Sequence, residues 1–202
     1  MLRPLATLLL IAISLAGCTK SEDIIRLSEI EERLYSGQYD LVVEDLNAYL
    51  RDYPESSHGW NTLGWTYIKT DRIKEGEACF QKSISLNPES DNAYVGLGAM
   101  NRILGNTDKA RQNYMRAISI VPENPEAYAS LVAIELMEGN YNKAVEYGEL
   151  AWDLRKDYGT IPANLAIAYH YAGNEAKRDE YFEHAKRLNY HNLTGLKEVF
   201  SN

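Results

Sequence analysis

Two cysteines and four histidines are the side chains of this sequence that could do nucleophilic or metal chemistry. Cys18 ends an apolar run near the amino terminus, whereas Cys79 lies beside Phe80 on a predicted amphipathic helix. Because these contexts differ completely, we expect no disulfide and interpret Cys79 as a small buried hydrophobe rather than a reactive thiol. The histidines are His58, His170, His184 and His191. His184 and His191 could share a helix face, but we expect solvated side chains there rather than a metal site.

The sequence contains no recognisable catalytic constellation. It has no H-E-x-x-H zinc motif, no phosphate-binding glycine-rich loop, no G-x-S-x-G nucleophile turn and no paired-cysteine metal spacing. Its formal charge is −8, with no long basic cluster to offset it, which argues against a nucleic-acid partner. We therefore predict a protein that is not an enzyme and needs no cofactor. The alternative from another function class is an enzyme with an unrecognised site between its structural units.

The amino terminus has the anatomy of a secretory signal. Residues 1–18, MLRPLATLLLIAISLAGC, have a charged start, an apolar run and small residues before the cysteine. The apolar run is too short for a comfortable membrane span. The ending Leu15-Ala16-Gly17-Cys18 resembles the bacterial lipobox, and this resemblance implies cleavage before Cys18 and acylation of that cysteine. An ordinary cleaved signal with a coincidental cysteine is the alternative.

Acylation of Cys18 would place the mature chain in the bacterial cell envelope, because several lipid chains on one residue give stable membrane attachment. Thr19 stands where an inner-membrane retention signal usually carries Asp. Similarity to sorted lipoproteins therefore implies the outer membrane, facing the periplasm, if the source has two membranes. We predict a signal peptide over residues 1–17 and a lipidated cysteine with its tether over 18–22.

A period of 34 residues organises the rest of the chain. Leu63, for example, becomes Leu97, Leu131 and Leu165. Such a period is typical of a solenoid, in which each repeat leaves an apolar face that its neighbour covers. The W-x2-L-G-x2-Y pattern of Trp60, Leu63, Gly64 and Tyr67 resembles the tetratricopeptide repeat (TPR) family. The resemblance implies an all-α fold, a right-handed α-solenoid of about five helix-turn-helix repeats plus a short C-terminal capping helix.

The repeat frame assigns most of the sequence to five units. They cover residues 23–56, 57–90, 91–124, 125–158 and 159–192, and a C-terminal cap covers 193–202. The first unit is degenerate, because Arg26 and Arg33 occupy places where the family has large apolar residues. In the fourth unit Gly148 stands where Phe80 and Tyr114 align, so we expect a void or a looser contact there.

Turn residues recur in the same frame. We expect three glycines to end first helices in the left-handed conformation, namely Gly105, Gly139 and Gly173. We expect three polar residues to act as N-caps of the next first helices, namely Ser56, Ser90 and Asn124.

The resemblance also suggests a binding groove. In the family, ligand contacts come from the face of the first helices that is turned away from the second helices. The frame places on that face Asn61, Trp65, Val95, Ala99, Arg102, Ala129, Ala133 and His170. Packing between helices is the alternative for Trp65. Members that grip a terminal carboxylate carry a Lys and Asn clamp where this chain has Leu27, Glu31, Asn61 and Trp65, so a C-terminal chaperone-type peptide is not expected.

The composition of this groove favours a particular kind of segment. Trp and Arg are common hot spots, so Trp65 and Arg102 suit a segment with an apolar anchor and an acidic neighbour. That segment could be extended or helical, and its anchor could be aromatic or aliphatic. Charge along the array agrees, because residues 23–56 carry nine acids and three bases, whereas 91–124 carry three acids and four bases. The third unit should therefore tolerate an acidic partner better than the first.

The function implied by the resemblance is a lipid-anchored TPR scaffold or adaptor for envelope proteins. Similar lipoproteins act as pilotins for type IV pilus secretins, as assembly factors of tight-adherence pili and as adaptors for peptidoglycan enzymes, and the resemblance does not choose among them. A general periplasmic holdase is the alternative. A holdase should bind many clients weakly, whereas an adaptor should have one saturable partner. The chain could also form a homo-oligomer.

Replacement of Cys18 tests the predicted anchor. We expect Cys18→Ala to block processing of the signal and to abolish labelling by a fatty-acid probe, because no other residue would carry the acyl chains. The measurement is metabolic labelling with that probe, with Cys79→Ala as the matched control that keeps its label. Undiminished acylation of the Cys18→Ala variant would show that the lipobox interpretation is wrong.

Overall fold

The computed structural model describes residues 22–34 and 36–201, and the regular elements in these residues are all α-helices. The chain divides into two compact units, Met1–Pro88 and Glu89–Asn202. The first unit contains α1 over residues 22–34, α2 (Tyr39–Asp52), α3 (Ser57–Lys69) and α4 (Ile73–Leu86). The second contains α5 (Asp91–Ile103), α6 (Thr107–Ile120), α7 (Pro125–Met137), α8 (Tyr141–Leu154), α9 (Thr160–Tyr171), α10 (Glu175–Arg187) and α11 (Leu193–Phe200). The predicted all-α fold of helix-turn-helix repeats is confirmed.

The predicted signal peptide and Cys18 lie outside the described residues. Within residues 22–34 and 36–201, none of the helices has the length and apolar character needed to cross a membrane.

The reversal between the two helices of a repeat is the same throughout. Gly105, Gly139 and Gly173 have φ of 76°, 75° and 77°, which confirms the predicted left-handed conformation. Gly37 and Asp71 extend this series backwards at the same spacing, with φ of 80° and 58°. An aspartate tolerates this conformation better than most residues with a side chain. The turn therefore repeats even in the degenerate first unit.

The predicted helix caps are confirmed at two of three positions. The Ser56 hydroxyl accepts a hydrogen bond from the Gly59 N–H at 3.2 Å, and the Asn124 side chain accepts one from the Ala127 N–H at 2.8 Å. Ser90 precedes α5, but its side chain accepts no such bond.

Small residues let the two helices of a repeat approach closely. A methyl group added at Gly64 on α3 would lie 2.7 Å from a ring carbon of Phe80 on α4. One added at Gly98 on α5 would overlap the ring of Tyr114 on α6. Both rings are fully buried. The aromatic ring of the second helix therefore fills the space that the glycine leaves on the first helix.

The fourth repeat inverts this pairing, and the void expected at Gly148 is wrong. Val132 on α7 stands at the step where Gly64 and Gly98 stand, so the larger side chain is on the first helix. A methyl group at Gly148 would lie 2.5 Å from Cδ2 of Leu165 and 3.6 Å from Val132. The space left by the absent ring is therefore filled by neighbours, including a leucine from α9.

Polar contacts compensate for the weak apolar face of α1. Leu27 and Ile30 are buried in the core of the first unit. Arg26 forms an ion pair with Asp52 at 2.6 Å, and Arg33 forms one with Asp45, both on α2. The arginines that replace the family's apolar residues thus still fasten α1 to its repeat.

The last helix, α11, is held mainly by apolar contacts. Leu196 is buried in a cluster with Ala163 of α9 and Ala185 of α10. The rings of Phe200 and Phe182 meet edge-on with centroids 5.9 Å apart. This helix covers apolar residues of α9 and α10, as the predicted cap would.

Substitution of Leu131 tests the core of the second unit. Leu131 is fully buried on α7, so Leu131→Ala should lower the free energy of unfolding by about 2–5 kcal/mol through lost burial and a residual cavity. Urea denaturation followed by circular dichroism measures this change. Leu150→Ala is the matched control, because Leu150 is exposed and its loss should cost less than about 0.5 kcal/mol. Equal effects of the two substitutions would contradict the assignment of Leu131 to the core.

Candidate binding surface

Three large apolar side chains form a row on the first helices of the second unit. Ile103, Met137 and Tyr171 are the last residues of α5, α7 and α9 and are 50%, 68% and 49% exposed. They recur at the 34-residue step, and α7 contacts both α5 and α9. We call these three residues the apolar row. Solvent-exposed large apolar residues in adjacent repeats are typical of an interaction surface.

The apolar row extends the predicted groove face by one helical turn. Ala99 precedes Ile103 by four residues and Ala133 precedes Met137 by four, and residues four apart lie on one face of a helix. Ala129 lies one further turn back, and all three alanines are half-buried. The sequence frame missed the row itself, although the same 34-residue step relates its members.

Two predicted groove residues are buried. Asn61 is 6% exposed, its side-chain oxygen has no hydrogen-bond partner among the described residues, and Val95 is 5% exposed. Neither can meet a partner at the surface in this structure, because their neighbours cover them. Trp65 is half-buried and meets Phe80 edge-on at 5.6 Å between ring centroids. Most of the Trp65 side chain therefore packs between helices, which was the alternative to a role in the groove.

The other predicted groove residues remain accessible in part. Arg102 is exposed on α5, one residue before Ile103. His170 on α9 is half-buried, and its ring centroid lies 5.3 Å from that of Phe200 on α11. Both residues flank the apolar row.

A tyrosine pair fixes one end of the apolar row. Tyr171 stacks on Tyr141 of α8, with centroids 4.7 Å apart and planes tilted by 17°. An open depression of about 660 Å³ adjoins the pair and is lined by Gly139, Asn140, Tyr141, Asn142, Lys143, Tyr171 and Ala172. The stacking restricts the Tyr171 ring, which reduces the entropy it would lose on binding.

A buried carboxylate lies near the C-terminal end of α7. Glu135 is 0% exposed and accepts hydrogen bonds from Arg111 of α6 and, at 3.0 Å, from the Asn140 side-chain amide. Arg111 also donates to Glu138 at 2.5 Å. In the repeat frame Glu135 takes the slot of the aromatic Tyr67 and Tyr169, and the 34-residue period alone does not predict a carboxylate there. Lys143 Nζ also lies 3.8 Å from Glu135 Oε1, so Arg111 and Lys143 together balance the charges of Glu135 and Glu138 beside Met137.

A second carboxylate ties three helices together. Glu149 on α8 accepts hydrogen bonds from the hydroxyls of Tyr169 on α9 at 2.6 Å and Tyr181 on α10 at 2.7 Å. Burial and the bond to Glu149 raise the pKa of both tyrosines above the ordinary value. The hydroxyls stay protonated, so this contact is structural.

The first unit contains a cavity with a mixed polar and apolar lining. A cavity of about 200 Å³ is lined by Asp23, Ile24, Leu27, Ser28, Glu31, Tyr49, Ser56 and His58. The His58 Nε2 lies 2.9 Å from Glu31 Oε1, which also accepts a hydrogen bond from the Thr62 hydroxyl at 3.0 Å. The bond to Glu31 raises the pKa of His58, and the bond to His58 lowers the pKa of Glu31.

Cys79 and the possible metal ligands are the remaining candidates for chemistry. Cys79 is buried, and burial raises the pKa of its thiol to about 12, which agrees with its interpretation as a small hydrophobe. Within residues 22–34 and 36–201, no group of three or more His, Cys, Asp or Glu residues could hold a metal ion.

Comparison with known families identifies the repeating unit. Residues 57–90 match one model of the tetratricopeptide repeat, and residues 79–112 match a second. Residues 57–112 thus contain tetratricopeptide repeat sequence. The first match covers α3 and α4, the two helices that pack closely through Gly64 and Phe80. The remaining units of the frame follow from the 34-residue step and the helix bounds.

Several solved structures resemble most of this chain in fold. PilF of Pseudomonas aeruginosa has a TM-score of 0.76 at 15% identity, covering 90% of this chain and 86% of that one. A MamA protein has a TM-score of 0.61 at 21% identity, covering 82% and 91%. MamA of Desulfovibrio magneticus RS-1 has a TM-score of 0.63 at 15% identity, covering 84% and 96%. At these identities the likeness supports the fold alone.

Curated relatives share only a short segment with this chain. Superkiller complex protein 3 is 32% identical over 81 residues in Mus musculus and 33% identical over 81 residues in Homo sapiens. Each match covers 40% of this chain and 5% of the relative. The chain therefore spans a small part of the length of these relatives.

The His58–Glu31 pair predicts a defined pH dependence for the attachment of α1. Because the pKa of His58 is raised, the protonated ring stabilises the attachment of α1 fully below pH 6.5. This stabilisation is lost as pH rises through the folded pKa. Because the pKa of Glu31 is lowered, the ionised carboxylate stabilises the attachment of α1 fully above pH 4.5. This stabilisation is lost as pH falls through the folded pKa. We therefore expect His58→Ala to increase amide exchange in α1 most strongly between about pH 4.5 and 6.5.

Hydrogen exchange read by mass spectrometry measures this difference, with exchange rates corrected for the intrinsic effect of pH. Asp23 is the other charged group that acts on His58, and it also favours the protonated ring. His191→Ala is the matched control, because His191 is an exposed histidine of the second unit. A His58→Ala effect that grows above neutral pH would contradict the ion-pair assignment.

Proposed function

We propose that this chain is a non-enzymatic scaffold that binds a protein partner through the apolar row and its flanking residues. The observation that carries the proposal is the recurrence of Ile103, Met137 and Tyr171 as exposed apolar residues at the ends of successive first helices. Repeat arrays of this kind bind partners along extended surfaces formed by equivalent positions of adjacent repeats. The neighbouring alanines leave room for a partner backbone, and Arg102 adds a charge at the edge.

We further propose that Cys18 holds this scaffold on a membrane of the bacterial envelope, at the outer membrane facing the periplasm. The lipobox-like ending of the amino-terminal apolar run supports this part of the proposal. A lipid-anchored scaffold would assist the assembly of a pilus or secretion complex or position cell-wall enzymes. The sequence resemblance to such lipoproteins supports these roles.

Site-specific crosslinking tests the binding surface. A photoreactive residue placed at Met137 should crosslink in cells to one discrete partner, because this side chain is the most exposed member of the apolar row. The same residue at Met115 is the matched control, since Met115 is also exposed but lies on α6, a second helix. Purified adducts are resolved on gels and identified by mass spectrometry, and circular dichroism checks that both variants fold.

The pattern of adducts separates the proposed adaptor from the alternatives. A discrete adduct from position 137 that is absent from 115 supports the proposal. Equal adducts from both positions would move the binding site off the first helices. A broad distribution of products from both positions is the outcome that a general holdase would give.

A further inference from the structure

The geometry of the apolar row restricts the segment that can occupy it, and we propose that the partner presents an amphipathic α-helix whose apolar side is flanked by carboxylates. This inference rests on the proposed function, because it names the class of partner that would bind the same surface.

The spacing of the first helices decides which backbone conformations can reach all three residues. Packed helices lie about 8–10 Å apart, which sets the approximate step between successive members of the row. Residues about seven apart on an α-helix lie about 10.5 Å apart on nearly the same face. A β-strand covers this distance in about three residues, which point to alternating faces. A strand therefore cannot present anchors to Ile103, Met137 and Tyr171 together.

A polyproline II segment meets the spacing but not the chemistry of the surface. Its residues repeat every three positions over about 9.3 Å, so its anchors would also fall in register. Grooves that bind such segments are lined by aromatic rings, however, and only Tyr171 of the row is aromatic. Ile103 and Met137 are aliphatic, and methionine adapts its flexible side chain to packed helical partners. The lining therefore favours a helix.

The charges around the row favour acidic flanks on that helix. The acidic side chains of α5 and α7 are already engaged: Asp91 accepts a hydrogen bond from Asn124 at 2.7 Å, Glu126 pairs with Arg155, and Glu135 pairs with Arg111. Helix α9 carries no acidic residue. Arg102 is exposed and enters none of the ion pairs among the described residues. Arg102 is thus an exposed cation of the first helices that lies outside these ion pairs and beside the apolar row, where it complements a carboxylate of a partner.

Binding of synthetic peptides to the purified full-length chain tests the proposal. The probe is a fluorescent alanine-based helical peptide with leucines at the heptad spacing and glutamates flanking them. The matched peptides carry lysine in place of glutamate, or leucines in a proline-rich backbone. Fluorescence anisotropy gives the dissociation constants, and circular dichroism checks the conformation of each peptide. We expect the glutamate peptide to bind roughly fivefold more tightly than the lysine peptide, the upper range for an exposed ion pair.

Two variants assign the binding to the residues named. Met137→Ala should weaken binding of the glutamate peptide by about tenfold, whereas Met115→Ala should leave it unchanged. Arg102→Glu should reverse the preference, so that the lysine peptide binds more tightly. A residue that only supported the fold would weaken both peptides alike, so this reversal distinguishes recognition from a structural effect.

The results distinguish failure of this inference from failure of the proposed function. Equal binding of the glutamate and lysine peptides, or tighter binding of the proline-rich peptide, would overturn the inferred partner class. Either result together with a discrete crosslink from Met137 would leave the scaffold function standing. Peptide binding that is insensitive to both Met137→Ala and Arg102→Glu would overturn the assignment to this surface.

Discussion

The close approach of the two helices within each repeat is the contact on which the rest of the structure depends. A small residue on one helix receives a large one from its partner, as Gly64 receives Phe80 and Gly98 receives Tyr114. This contact fixes the rotation of each first helix about its own axis. Because the glycine side must face the second helix, the residues on the opposite side are turned outward. On α5, for example, Ile103 follows Gly98 by five residues and is therefore turned away from α6.

The sequence period predicted much of this arrangement, and its failures have a common cause. The left-handed glycines and the buried Leu131 were predictable because each depends on its own position in the repeat. Gly148 was misjudged because the volume at that position depends on Val132 and Leu165, which lie elsewhere in the chain. Glu135 was overlooked for the same reason, since its partner Arg111 lies 24 residues away. When a change at one position is compensated by a residue elsewhere in the chain, the repeat alignment of the first position alone does not reveal it.

The candidate surface was only partly predictable for a related reason. The family frame placed Val95 and Asn61 on the groove, yet neighbouring side chains bury both. It omitted Ile103, Met137 and Tyr171, whose exposure depends on how each helix end meets the next element. The two units also differ in chemistry: the described first helices of one contribute His58 and Glu31 to a cavity of mixed lining, whereas those of the other carry the apolar row. A shared backbone pattern therefore supports two different kinds of surface.

The terminal helices are fastened by different forces, and this difference determines how each responds to its surroundings. Helix α1 depends on partly exposed ion pairs such as Arg26–Asp52. Dissolved salt weakens the attraction in such pairs, and its screening length is about 10 Å at 0.1 M and shorter at higher ionic strength. Helix α11 depends on apolar contacts around Leu196, which weaken on cooling because water then hydrates apolar surface more favourably. Rising ionic strength therefore loosens one end of the described chain, while falling temperature loosens the other.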